Sequence, residues 1–208
     1  MRAAVLIYEG VEPIDLATCG VLSMARRVVP SISMATVAER AGSVRLANGL
    51  TVLADHGYAD APPVDVLIIT GGPGWQAAAK SVAMLDFIRA TSAHAVVAAV
   101  CTGGMILAAS GLLDGRSATT KCQVIGAEDS PLRLMRERHP AINVIDARLV
   151  DCDRVLTGGG VTLCIDMMLH LVERFHGAEA ARETARIMEY STARAANEAR
   201  SPTVKSGH

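Results

Sequence analysis

The 208-residue sequence predicts an α/β fold: a doubly wound, mostly parallel sheet with helices on both faces and a nucleophile-elbow cysteine. Three observations predict it. Short apolar runs, each long enough for one buried strand, alternate with segments of helical periodicity. Three of those runs end in glycine-rich turns, at 71–74, 103–104 and 158–160. A cysteine, Cys101, stands between an apolar run and the start of a helix.

Ala3 to Tyr8 reads as the first buried strand, and Glu9-Gly10 turns the chain. Residues 13–28 carry apolar positions at helical spacing, with Pro13 tolerated in the first turn. Ser31 to Val37 reads as a second strand, and Val44 to Ala54 as a hairpin turning at Asn48-Gly49. Val64 to Thr70 is a continuous apolar strand that ends in Gly71-Gly-Pro-Gly74, and 82–92 reads as a helix. Ala95 to Val100 is the elbow strand, with a helix from Met105 to Ser110. Residues 129–139 read as a helix stopped at Pro140, and Asn143 to Val150 and Arg154 to Leu156 as strands. Helices at 161–176 and about 178–190 follow. Residues 1–190 are read as a single domain, and 191–208 as a polar, frayed C-terminal tail.

Composition narrows the function. Half the residues are hydrophobic, but there are only one Trp, three Tyr and two Phe, so the core is aliphatic. A net charge of −1 offers nothing to nucleic acid or an anionic membrane, and stacking platforms for single strands need aromatics. No apolar run approaches a bilayer span, and no charged and apolar leader opens the chain. Five cysteines (19, 101, 122, 152, 164) without a CxxC pair argue against a disulfide framework or a zinc site, and a reducing cytoplasm is the expected compartment. His56, His94, His139, His170 and His176 show no metal-ligand spacing, and no phosphate-binding glycine motif is present; no metal and no cofactor are expected.

In a doubly wound sheet, ligands bind at the carboxyl ends of the strands. The three glycine turns can share that edge with Cys101. Unpaired N–H groups at a helix start favour a thiolate there. A cysteine nucleophile also needs backbone donors and a proton manager. The N–H of Thr102 and one from Gly71-Gly72 are candidate donors. Glu12 and Asp15, just after the first strand, are candidate acids, although carboxylates near a helix start are also common for electrostatic reasons.

The segments Gly10-Val-Glu-Pro-Ile-Asp-Leu16, Gly71-Gly-Pro-Gly74 and Val100-Cys-Thr-Gly-Gly104 through Leu113, with Ala118-Thr-Thr120, resemble the ThiJ/PfpI superfamily, the class I glutamine amidotransferase-like, flavodoxin-like group. Leu156-Thr-Gly-Gly-Gly-Val-Thr-Leu-Cys-Ile-Asp166 is similar to the isonitrile hydratases within it. The resemblance implies Cys101 as nucleophile, Asp15 as the acid hydrogen-bonded to it, Thr102 as its neighbour and Gly72 in the oxyanion hole, with Glu12 and Lys121 secondary. It implies a homodimer acting on a small electrophile: hydration of an isonitrile to an N-substituted formamide. A glyoxalase-type enzyme and a non-catalytic small-molecule or redox sensor are the alternatives. Thr18-Cys19 and Lys121-Cys122 depart from the Gly-Pro and His-Trp of those relatives, so no Cys-His dyad is evident. Lys121 is either a site cation that favours the thiolate or a solvated side chain.

Overall fold

The computed structural model describes residues 1–206. Its centre is a seven-stranded sheet. The strands are β1 (Arg2–Leu6), β2 (Ser33–Val37), β5 (Val66–Ile69), β6 (Val96–Ala99), β9 (Leu149–Cys152), β10 (Val155–Gly158) and β11 (Thr203–Lys205). Their spatial order is β11-β9-β10-β6-β5-β1-β2. From β2 through β10 every pairing is parallel; β9 runs antiparallel to β10, and β11 parallel to β9. The expected α/β architecture is therefore present, with one antiparallel step near an edge.

The central strands lie covered on both faces. Val66, Leu67, Ile68 and Ile69 of β5 are all buried, which explains why that segment is apolar throughout and does not alternate. Helices α1 (Ala17–Val28), α6 (Cys164–His176) and α7 (Ala178–Ile187) pack together. Helices α2 (Trp75–Ala78), α3 (Val82–Ser92), α4 (Gly103–Ala109) and α5 (Pro131–Arg138) belong to a second layer, with α4 against β5 and β6. Two small ribbons complete the fold: β3 (Gly42–Arg45) with β4 (Thr51–Ala54), and β7 (Ser117–Ala118) with β8 (Asn143–Val144).

Several boundaries differ from the sequence expectation. The segment 13–28 is a 3-10 turn at Pro13–Leu16 followed by α1, not one continuous helix. The hairpin forms, but its loop is longer than two residues: Leu46 N–H bonds Leu50 O at 2.8 Å, and Asn48 Oδ1 accepts from Leu50 N–H at 3.0 Å. The strand expected at 143–150 divides into β8 and β9, which belong to different sheets.

The frayed tail is the main correction. Residues Ser191–Arg200 form helix α8, and Thr203–Lys205 is the edge strand β11. No residue of α8 is buried, so no apolar stripe betrays it. It is fastened by polar groups instead. The buried Arg148 guanidinium pairs with buried Asp166 at 3.0 Å and donates to Ser201 O and Thr203 Oγ1, each at 3.0 Å. Asp166 Oδ2 accepts from Tyr190 Oη at 2.8 Å and from Asn197 Nδ2 at 2.9 Å.

Candidate active site

β6 delivers the chain through Val100 to Cys101, and α4 carries it away. Cys101 has φ +53°, a left-handed conformation that costs a residue with a Cβ. Tertiary bonds hold it there. Its N–H donates to Gly159 O at 3.2 Å, and its carbonyl accepts from Thr120 Oγ1 at 2.7 Å. The sharp turn between buried strand and helix is the elbow expected from sequence.

Asp15 reaches the same place from the 3-10 turn after β1. It is fully buried, and its Oδ2 accepts from Gly71 N–H at 2.6 Å. Glu12 N–H donates back to Gly71 O at 2.9 Å, so the acidic segment and the glycine turn clasp each other. Gly72 makes this approach possible: a Cβ there would stand 2.2 Å from Glu12 N, and its φ is +148°.

Asp15 Oδ1 is buried with no hydrogen-bond partner among the described residues, and the carboxyl and the Cys101 thiol influence each other electrostatically. Burial pushes Asp15 up to about 7, opposed by the Gly71 N–H and the thiol and reinforced by the charge of Glu12. Burial and the Asp15 charge push Cys101 up to about 12; the Thr102 N–H and the Lys121 charge oppose the rise without cancelling it. Both causes run against the thiolate expected from the helix start: α4 is short, and desolvation outweighs its dipole.

Thr102 is buried beside the thiol. Its Oγ1 accepts from Gly72 N–H at 2.8 Å and donates to Gly72 O at 3.2 Å. The Gly72 N–H, a candidate oxyanion-hole donor by sequence, is thus engaged by a hydroxyl in this structure, while the Thr102 N–H serves the sulfur. Lys121 lines the site, and its Nζ donates to Gln123 O.

Cys101, Thr102, Gly72, Glu12 and Lys121 open onto one cavity of about 700 Å³; Asp15 lies behind the sulfur, outside its lining. Among the described residues no histidine lines it. Sequence reasoning missed several of its walls: Trp75 and Gln76 on α2, Leu134 and Arg138 on α5, and Val161. Trp75 follows the Gly71–Gly74 turn directly, a usable signal; the α5 residues lie too far along the chain to be placed without the fold. Gly160 was also missed as an individual residue. A Cβ there would sit 3.0 Å from both Cys101 Sγ and Lys121 Cβ, so glycine at this position keeps the sulfur uncovered.

A parallel sheet with an elbow cysteine at its carboxyl edge, and a buried acid nearby, defines the class: an α/β protein with a candidate thiol site where such sheets bind ligands. The DJ-1/PfpI family model matches residues 1–174, and the chain belongs to that family. Among curated proteins, isonitrile hydratase of Pseudomonas putida is 29% identical over 93% of this chain and 80% of its own length. The HTH-type transcriptional regulator GbdR of Pseudomonas aeruginosa is 34% identical over 71% of this chain, which spans only 38% of that regulator. Among solved structures, a ThiJ/PfpI family protein from Pseudomonas syringae superposes with a TM-score of 0.78 at 28% identity, covering 91% of this chain and 74% of the other. Drosophila melanogaster DJ-1beta, at 21% identity, TM-score 0.75 and coverages of 90% and 97%, shares the fold. No helix among the described residues is long and apolar enough to cross a membrane.

Proposed function

We propose that the protein is an isonitrile hydratase-like hydro-lyase, converting an isonitrile and water to an N-substituted formamide through Cys101, in the cytoplasm and as a homodimer. The observation that carries this reading is a buried Cys101 thiol on a cavity with no histidine among its described lining residues, coupled to the buried Asp15 carboxyl outside that lining, which burial raises to about 7. Such a carboxyl exchanges protons readily in both directions near neutral pH.

The chemistry suits that pair. Asp15 carboxylate takes the thiol proton as sulfur attacks the terminal isonitrile carbon. The same proton returns to that carbon, giving a thioimidate, R–N=CH–S–Cys101. Asp15, again ionised, accepts a proton from water as the oxygen adds to the carbon, and passes it to nitrogen. The intermediate R–NH–CH(OH)–S–Cys101 expels the thiolate, its hydroxyl proton returns to sulfur through Asp15, and R–NH–CHO leaves. Negative charge develops on carbon in the first half and on nitrogen as water adds, so neither of these steps calls for two backbone donors on an oxyanion. That agrees with a Gly72 N–H already bonded to Thr102 Oγ1. Hydrolysis or rearrangement of a carbonyl substrate relies more on such donors.

The test is formamide formation from alkyl isonitriles, assayed beside methylglyoxal consumption. Wild type forms formamide, and Cys101→Ala and Asp15→Ala lose it. Retained turnover in Cys101→Ala sinks the reading, and methylglyoxal consumption alone supports the glyoxalase-type alternative. A second reading, a ligand-binding module without turnover, is favoured by the 34% identity to the regulator GbdR over 71% of the chain. It gains if no substrate is consumed and the cavity still binds one.

A further inference from the structure

The volume and lining of the cavity bear on the size of its substrate. A hydration reaction occupies only the two-atom isonitrile group at the sulfur, yet the cavity measures about 700 Å³. Clefts of roughly 300–1,000 Å³ are those that enclose drug-sized molecules. The volume therefore exceeds what the reacting group needs, and the surplus belongs to the substituent.

One part of the lining fits an apolar substituent. Away from Cys101 the wall has an apolar side, Trp75, Ile14, Val124, Leu134 and Val161, facing a charged one that includes Glu128, Asp129 and Arg138. Trp75 is the single tryptophan of a chain poor in aromatics, and it is spent here. Ile14 is 43% exposed and Val124 37% exposed, two of the few large apolar side chains left open to solvent. Ile14 is the immediate neighbour of the fully buried Asp15, so the 3-10 turn that hides the acid also presents an apolar residue to the cavity. Apolar surface that also lines the cavity of the reacting centre suits the apolar arm of a ligand.

We propose that the substrate carries a bulky aromatic arm on the isonitrile nitrogen, seated against Trp75, Ile14 and Val124, and that Trp75 is the specificity-determining residue. The inference rests on the hydration reading. Binding energy from the remote arm fixes the isonitrile carbon at the sulfur and raises kcat/KM for large substrates over small ones.

Three probes test it: methyl, cyclohexyl and 2-naphthylmethyl isonitrile, each followed by formamide formation. Wild type prefers the naphthylmethyl over the methyl compound in kcat/KM by about tenfold or more, with cyclohexyl between. Trp75→Ala removes the platform and collapses that ratio. Val124→Trp, at a half-open loop position that tolerates a large side chain, narrows the cavity and collapses it too, which guards against loss of folding in the first variant. Turnover of all three at similar kcat/KM, a preference for methyl, or a ratio that survives in both variants overturns the inference while leaving hydration intact. No turnover of any probe overturns the hydration reading, and the substrate assignment falls with it.

Discussion

Asp15 is fully buried, with one oxygen on the Gly71 N–H and the other turned from every nitrogen and oxygen donor, and its titration is set by those surroundings. If Asp15 is the base that takes the thiol proton, kcat/KM rises with pH through about 7. The charge of Glu12 is one cause of that high value. Glu12→Gln removes a negative neighbour, ionisation becomes easier, and the rising limb moves to lower pH. A pH profile in which Glu12→Gln leaves the limb in place refutes this assignment. The same burial has a cost for the fold. The folded pKa lies above the unfolded one, so stability is fully present below about pH 4 and declines as pH rises through about 7. Asp15→Asn removes the charge and keeps an acceptor for Gly71. It is expected to abolish turnover and to stabilise the protein at pH 8 by on the order of 4 kcal/mol at most, with little gain at pH 4. Urea unfolding at the two pH values measures it, and equal effects at both refute it. At Gly160 the expectation is steric: Gly160→Ala places a methyl 3.0 Å from Cys101 Sγ, cutting turnover sharply while leaving the far-ultraviolet spectrum unchanged.

Among the elements, α8 and β11 are held by charge and hydrogen bonds in place of a hydrophobic stripe. Arg148 connects them to the site. Its side chain donates to Ser201 O and Thr203 Oγ1, while its backbone carbonyl accepts from Gly159 N–H at 3.0 Å, and Gly159 O in turn accepts from Cys101 N–H. Asp166→Ala leaves the buried guanidinium with only the exposed Glu198 carboxylate at 3.6 Å. The expected loss is about 2–4 kcal/mol, since a buried charge stripped of its buried partner costs more than the pair contributed. Chemical denaturation measures it; a loss below 1 kcal/mol, the scale of an exposed pair, contradicts this account of the clasp. Removing 191–206 is expected to destabilise the protein in the same sense, because Asn197, Ser201 and Thr203 go with it.

At the scale of the molecule, the proposed assembly is a homodimer. Sedimentation equilibrium decides it: a particle of twice the chain mass supports the homodimer, and a monomer at micromolar concentration refutes it. The whole-chain comparison also frames the choice between enzyme and sensor. This chain covers four-fifths of the isonitrile hydratase and about two-fifths of the regulator, so its likeness to the enzyme spans more of both proteins, whereas identity to the regulator is higher where they align.

Local pattern determined a good deal. Continuous apolar runs at 66–69 and 96–99 read as buried parallel strands, because a strand covered on both faces has no polar side to show. The elbow at Cys101 was legible because few chain geometries place a cysteine between such a strand and two glycines. Asp15, Gly72 and Thr102 were legible as candidates through resemblance to a family. What only tertiary structure decided has a common physical cause: it depends on groups distant in sequence. The 191–208 segment reads as a tail because the fastening of its described residues is polar and their partners, Arg148 and Asp166, lie elsewhere in the chain. The upward push on the Cys101 thiol comes from desolvation and from a carboxylate brought in after β1, neither visible in the elbow itself. The cavity was assembled from α2, α4, α5 and the turns between them, so Trp75 and Leu134 became neighbours of the sulfur only when the sheet brought them together.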